Sequence, residues 1–273
     1  MRRRQPGLVV NALLVIGGLA TATPLLWMIS ASFMPAGQSN ELPPRLLPSP
    51  PTLEHYATLF TRLDLARNLG NSLMIAIGST LICVTLCGMA GYAFARLEFA
   101  GRERVFRGLV FGMLIPAQVG MLPLFLMLKA MGLVNTVAGV IIPMMAPIFG
   151  IFMVRQYAFG IPRDLLDAAR MDGATELRIF WRIVVPLLRP ILATLAIFIF
   201  LSSWNDFLWP LIVLSDDARY TLPVALANLS GEHVQDTELM MAGAVLTVMP
   251  VLLVFLVLQR HYVRGLLLGG VKG

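Results

Sequence analysis

Apolar residues in this chain come in long unbroken runs, not in the alternation of a half-buried strand or the one-sided stripe of a soluble helix. A bilayer core of about 30 Å takes roughly 20 helical residues to cross. Six runs approach or exceed that length, at 8–33, 72–95, 105–128, 137–154, 191–214 and 240–258. The pattern predicts an all-α polytopic membrane protein with six transmembrane helices, forming a single transmembrane domain over 1–273. Pro116, Pro123, Pro143 and Pro147 fall inside the runs. They are tolerated in membrane helices where neighbours satisfy the freed backbone groups, and are read first as packing kinks and second as bends used in gating.

The connections divide their charge unevenly, and positive residues are retained on the cytoplasmic side of a membrane. Sixteen of the 21 Lys and Arg fall on one face, within 2–4, 96–107, 155–189 and 260–272. Five fall on the other: Arg45, Arg62, Arg67, Lys129 and Arg219. Both termini are therefore expected in the cytoplasm, with a Pro-rich segment at 35–69 and an acidic loop at 215–238 outside. Arg2, Arg3 and Arg4 before an apolar stretch resemble a signal peptide, but the stretch is long and lacks a small-residue cleavage pattern, so a retained first span is expected.

The connection 155–189 is longer than a simple link between spans requires, and long ordered loops generally carry function. Pro162 and Asp164 open a helix, Leu165, Leu166, Ala168 and Ala169 give it a small apolar face, and Gly173 stops it. A second amphipathic piece follows, with Leu177, Phe180, Trp181 and Val184 apolar and Glu176, Arg178 and Arg182 polar. A helix, a glycine turn and another helix are thus presented to the cytoplasm. An amphipathic helix lying on the bilayer surface is the competing reading.

Composition narrows the classes. Hydrophobic residues make up 58% and charged residues 13% of the chain, far from the balance of a soluble domain. The net charge of +6 does not point to nucleic acid, because the basic residues sit in short segments between apolar runs and form no solvated face. Cys83 and Cys87, one helical turn apart in an apolar run, are read as packing residues and not as a metal or redox pair. His55, His233 and His261 lie in separate segments without ligand spacing, so no metal site is expected. No nucleophile and base pair up within the spans, so no catalytic residues are expected. A secondary transporter would show inverted repeats and buried acids, and the chain offers neither convincingly.

Asp167-Ala168-Ala169, three residues, Gly173, nine residues, Ile183, one residue and Val185-Pro186 resemble the cytoplasmic loop motif of ABC importer permeases, with Asp167 in place of Glu and Val185 in place of Leu. Trp204-Asn205-Asp206-Phe207-Leu208-Trp209-Pro210 and the tail 259–273 resemble the carbohydrate branch of type I importers, in particular the maltose-type shorter permease. The resemblance implies a type I ABC importer permease fold in a prokaryotic inner membrane. Within it, a coupling helix at about 164–171 docks on an ATPase subunit through Asp167, Ala168, Ala169, Gly173, Ile183 and Pro186. It also implies a cytoplasmic tail that contacts the ATPases through Gly265, Gly269, Gly270 and Lys272.

The partners implied are a second permease subunit in a heterodimer, two ATPase subunits, an extracytoplasmic sugar-binding protein and membrane lipid. No cofactor is expected on this chain: it lacks a Gly-x-x-x-x-Gly-Lys-Ser/Thr loop to cradle phosphates, and ATP and Mg would be bound by the partner ATPases. Trp204, Asn205, Asp206 and Trp209 allow two readings. They form a sugar path, or they make a structural hydrogen bond beside an interfacial aromatic belt; the structural reading is preferred. The tail glycines are too closely spaced for a stable helix, and the resemblance implies that the chain leaves the membrane after Leu258 and reaches the ATPase dimer interface. Disaccharide, oligosaccharide, glycerol phosphate and polyol importers share these motifs.

Overall fold

The computed structural model describes residues 7–43, 45–61, 64–232 and 236–270. Among these residues all regular structure is helical. In chain order the helices are α1 (Leu8–Ala31), α2 (Glu54–Thr61), α3 (Leu65–Arg96), α4 (Arg102–Gly112), α5 (Met121–Ala130), α6 (Val137–Ile141) and α7 (Ile148–Ala158). Then follow α8 (Arg163–Met171), α9 (Glu176–Ile179), α10 (Val185–Trp204), α11 (Leu208–Val213), α12 (Leu222–Glu232) and α13 (Thr237–Gly270).

Four segments are long and apolar enough to cross a membrane: Val10–Ala31, Leu65–Arg96, Glu176–Trp204 and Thr237–Leu256. Two bent pairs also qualify, Arg102–Gly112 with Ala117–Ala130 at 96° and Val137–Met144 with Ile148–Ala158 at 42°. Counting each pair as one span gives six. The bends fall at Pro116 and Pro147, where the ring forbids a continuous hydrogen-bond ladder.

Two compact units arise, one from Met1–Ala66 with Ala225–Pro250 and the other from Arg67–Val224 with Val251–Gly273. In the first, the Pro-rich segment is tied down by polar contacts. The Gln38 side chain donates to the Ser49 carbonyl at 2.8 Å and accepts from its N–H at 3.1 Å. The buried Glu238 carboxylate accepts from the Ser39 N–H at 2.7 Å. By contrast α1 is apolar along its length, and from Val10 to Ser30 none of its residues is buried, so lipid or another subunit must cover it.

The second unit is built around a cluster that joins Cys83, Cys87 and Tyr92 of α3 to Ile151 and Val154 of α7 and to Leu188, Leu192 and Leu195 of α10. Cys87 packs against Gly150, and its Sγ lies 3.7 Å from that of Cys83. The cytoplasm-expected ends of α3 and α7 cap each other. Arg96 donates Nε to the Ala158 carbonyl at 3.0 Å and a second N–H to Phe159. Arg155, itself buried, donates to the Phe94 carbonyl at 3.2 Å and pairs with Glu103 at 2.6 Å. Last-turn carbonyls of a helix need such donors, so these arginines have structural work beyond marking sidedness.

Four sequence expectations need correction. The stretch after Gly173 is no separate amphipathic helix but the start of the fifth span, because α9 continues through a π turn (Phe180–Val184) into α10. Pro186 supplies no N–H to the preceding turn, and the wider turn lets the Val185 N–H reach the Phe180 carbonyl. The fifth span itself ends at Trp204, not 214. There the Asn205 side chain donates to the Leu201 carbonyl at 2.8 Å and Asp206 accepts from the Trp209 N–H at 3.4 Å, the local competition with the backbone that such residues offer. The stretch 215–238, expected as an outer loop, contains α12, whose Leu222, Val224, Leu226 and Leu229 are buried. Finally, Gly265, Gly269 and Gly270 lie on α13. Extending an existing helix needs no new nucleus, so the cost of about 1 kcal/mol per glycine does not stop it. Lys272 and His233 lie outside the described residues.

α3 and α7 cross at Gly91, where an added Cβ would lie 2.6 Å from Val154 Cγ1 and 2.9 Å from the Arg155 backbone nitrogen. Gly91→Ala is expected to destabilise the protein by about 1–3 kcal/mol through overpacking. Gly108→Ala, inside α4 where a Cβ meets nothing within 4 Å, is expected to raise stability by up to about 1 kcal/mol through helix propensity. Melting temperature in detergent and abundance in membranes compare the two.

Candidate functional site

The loop motif folds as a short helix closed by a glycine turn. α8 begins directly after Pro162, with Asp164 in its first turn and Arg170 in its last, charges that match the helix dipole. At its end the Gly173 N–H bonds the Arg170 carbonyl at 2.9 Å and the Ala174 N–H bonds the Ala169 carbonyl at 3.0 Å. This is the paired-bond Schellman stop, with Gly173 as its left-handed residue, and Gly173 has φ +78. Thr175 then caps α9, accepting from the Arg178 N–H at 3.4 Å.

α8 buries one side chain and shows the rest. Leu166 is 1% exposed and joins the second unit's core beside Ile161, Ile179, Phe180 and Val184. Leu165 and Met171 are exposed, Met171 at 88%, as are Asp167, Ala168 and Gly173, while Ala169 is half-buried. A Cβ on Gly173 would meet nothing within 4 Å of this chain. Ile183 packs against the core from the π turn, and Pro186 is exposed at the start of α10. The motif therefore has two parts: Asp167, Ala168 and Gly173 form an outward surface, and Ile183 belongs to the mounting behind it.

The electrostatics of α8 centre on Arg170. Its guanidinium pairs with Asp167 at 2.6 Å and with Glu176 at 2.7 Å. Glu176 chiefly raises the Arg170 pKa above its ordinary value; burial opposes it, and the bond to Asp167 adds a smaller upward effect. Glu176 also accepts from the Tyr92 hydroxyl at 3.0 Å. Nothing in the sequence pattern marks Tyr92; Glu176 stands there only as a polar-face residue and Arg170 only among the charges that mark sidedness. No periodicity links positions 84 apart in the chain, as Tyr92 and Glu176 are.

The residues of the sugar-path reading separate. Trp204 is 1% and Trp209 5% exposed, and Trp209 Nε1 donates to the Gly139 carbonyl at 3.2 Å. Neither ring presents a free face from within this chain. Asn205 is exposed and Asp206 half-buried in the break between α10 and α11. Of the tail residues, Gly265, Gly269 and Gly270 lie on the last turns of α13, beyond the segment Thr237–Leu256 that qualifies as a span.

A family model described as binding-protein-dependent transport system inner membrane component matches residues 88–267. The chain is 38% identical over 278 residues to an arabinooligosaccharides transport system permease protein of Halalkalibacterium halodurans, covering 99% of this chain and 100% of the relative. It is 32% identical over 272 residues to a lactose transport system permease protein of Rhizobium radiobacter, covering 100% of this chain and 98% of the relative. Its structure is similar to a chain in the crystal structure of a bacterial ABC transporter involved in the import of the acidic polysaccharide alginate. The TM-score is 0.82 at 25% identity, over 93% of this chain and 95% of that one.

Trp209 makes its one described side-chain hydrogen bond inside the core, so Trp209→Phe leaves the Gly139 carbonyl without that donor. The expected cost is about 1–3 kcal/mol, measured as a lowered melting temperature in detergent, with Asn205→Ala as a milder comparison at an exposed position.

Proposed function

This chain belongs to the binding-protein-dependent transport system inner membrane component family, and from that premise we propose that it forms half of the translocation path of an ATP-driven sugar importer and takes its power stroke on α8. Members of this family are permease subunits, transport components and not enzymes. The observation that carries the proposal is the mounting of α8: a helix of nine residues, held by one buried leucine, closed by a left-handed glycine, and showing Leu165, Asp167, Ala168 and Met171 outward.

An exposed apolar and acidic knob of this kind suits a groove on a cytoplasmic ATPase subunit. Asp167 brings a carboxylate to that groove, and Gly173 keeps the turn narrow enough to enter it. ATP and Mg are held by two such ATPase subunits, whose closure moves α8 as a rigid body; the contacts must differ between open and closed states for that movement to do anything. The end of α13, with Gly265, Gly269 and Gly270, supplies a second contact to the ATPases, and Lys272 extends it.

A second permease subunit completes the path and covers α1. The irregular backbone at the 96° bend of α4 and α5, exposed throughout 113–120, supports this reading, because such backbone survives at membrane depth only against protein or a water-filled cavity. The break at Asn205 and Asp206 supports it equally, and these two are the polar groups of this chain proposed to meet the solute. The relatives named for arabinooligosaccharides and lactose favour a sugar, delivered from outside by a binding protein such as the periplasmic protein in a related alginate importer complex. Both termini face the cytoplasm of a prokaryotic cell.

Two experiments test the proposal. Reporter fusions after Arg4, at Glu98, within 174–178 and after Lys272 are expected to read cytoplasm, and fusions near Glu54 and Asp217 the outer side. An external signal from 174–178 overturns the docking assignment. Gly173→Leu places a side chain at positive φ, costing about 1–2 kcal/mol, in space this chain leaves open. Normal membrane abundance with lost ATPase co-purification and lost solute-stimulated ATP hydrolysis is expected, with Arg178→Gln behaving as wild type. Full coupling in Gly173→Leu at wild-type abundance rules the assignment out.

A further inference from the structure

The apolar contact that anchors α8 fixes where the helix sits but not how it is turned. Burial of Leu166 is non-directional, Ala169 adds only a small side chain packed on the same core, and the Arg163–Glu98 pair at 3.7 Å is solvent-exposed, so these contacts hold the roll of a nine-residue helix only weakly. Two backbone bonds close the turn at Gly173, where φ is +78, but they lie within the loop and tie it to no membrane helix. A second set of contacts makes that tie. Arg170 bonds Asp167 at 2.6 Å on its own helix and Glu176 at 2.7 Å beyond the turn, so the guanidinium splints the Gly173 turn from one side to the other. Glu176 spends its other oxygen on the Tyr92 hydroxyl at 3.0 Å. Tyr92 belongs to the span α3, is 3% exposed, and packs its ring 6.0 Å from that of Phe180 in the π turn.

Hydrogen bonds to charged groups are short and directional, unlike the leucine contact they accompany. We infer that Arg170, Glu176 and Tyr92 form a relay that sets the angle of α8 against α3, and so determines how much of a displacement imposed on α8 reaches the membrane helices. They are positioning residues for coupling and touch neither nucleotide nor solute. The inference rests on the reading of α8 as the element that docks on the ATPase. Each member has a distinct part: Arg170 bridges the turn, Glu176 joins the bridge to the span, and the Tyr92 hydroxyl is the point of attachment on α3.

The test uses the assembled transporter in proteoliposomes and measures solute moved per ATP hydrolysed, alongside membrane abundance and ATPase co-purification. Tyr92→Phe removes only the hydroxyl and keeps the buried ring, and Arg170→Gln removes the splint. Both are expected to assemble as wild type while the solute-to-ATP yield falls about tenfold, the equilibrium equivalent of one hydrogen bond to a charged group. Arg170→Lys, which keeps the charge but engages one carboxylate at a time, is expected to lie between. Wild-type yield in both Tyr92→Phe and Arg170→Gln overturns the relay. A fall in yield that merely tracks lost abundance overturns it as well, since the contacts would then serve folding alone. If the unaltered chain fails to co-purify with any ATPase, the docking reading itself falls, an outcome separate from failure of the relay.

Discussion

Backbone amides in a membrane have no water to turn to, and several irregularities of the second unit are organised around that constraint. Where the helices run unbroken, α3 and α10 satisfy themselves. At three of the breaks and ends a named group stands in. The Asn205 side chain returns to the Leu201 carbonyl, Arg96 closes the end of α7, and a π turn absorbs the missing N–H of Pro186. The same logic explains the buried arginine: Arg155 is 7% exposed yet fully engaged, with Phe94, Glu103 and the ring of Phe106 at 3.8 Å. A charge at that depth is tolerable only with partners of this quality.

Among these satisfied helices, α8 is the exception. Apart from Leu166 and the half-buried Ala169, its apolar residues face outward, and Arg170 bonds both Asp167 within the helix and Glu176 beyond it. An element whose exposed side carries Leu165 and Met171 is incomplete in isolation, and so is α1. The chain thus has unmet surfaces of two kinds, a long lipid-scale face on α1 and a small knob on α8. A subunit that works only inside an assembly needs both.

Much of this was legible in the sequence, for physical reasons that differ by residue. The spans were visible because roughly 20 apolar residues in a row match the thickness of a bilayer and rarely suit a soluble fold. Gly173 was visible because a glycine after a short amphipathic run marks a left-handed stop, and the structure has φ +78 there. The bends announced themselves as prolines. By contrast, α12 was hidden because an acidic, turn-rich stretch reads as loop, although its leucines pack inward. The rings of Trp204 and Trp209 looked interfacial because tryptophan is frequent at membrane boundaries, whereas here they fill the core. Tyr92 left no trace at all: its role depends on the fold bringing α3 to α9, which no local pattern encodes.

The continuity of α9, the π turn and α10 has a further consequence, for how such proteins can diverge. Residues from Glu176 to Trp204 run as one helix through the π turn and so share one helical register, whereas the turn at 172–175 separates α8 from it. A single residue inserted inside that helix would turn whatever follows by about 100° relative to α9. Substitutions on the exposed face of α8 leave that register intact, but insertions and deletions beyond Glu176 do not. Descendants of this chain can therefore vary the knob residue by residue while the length of helix from α9 through α10 stays locked.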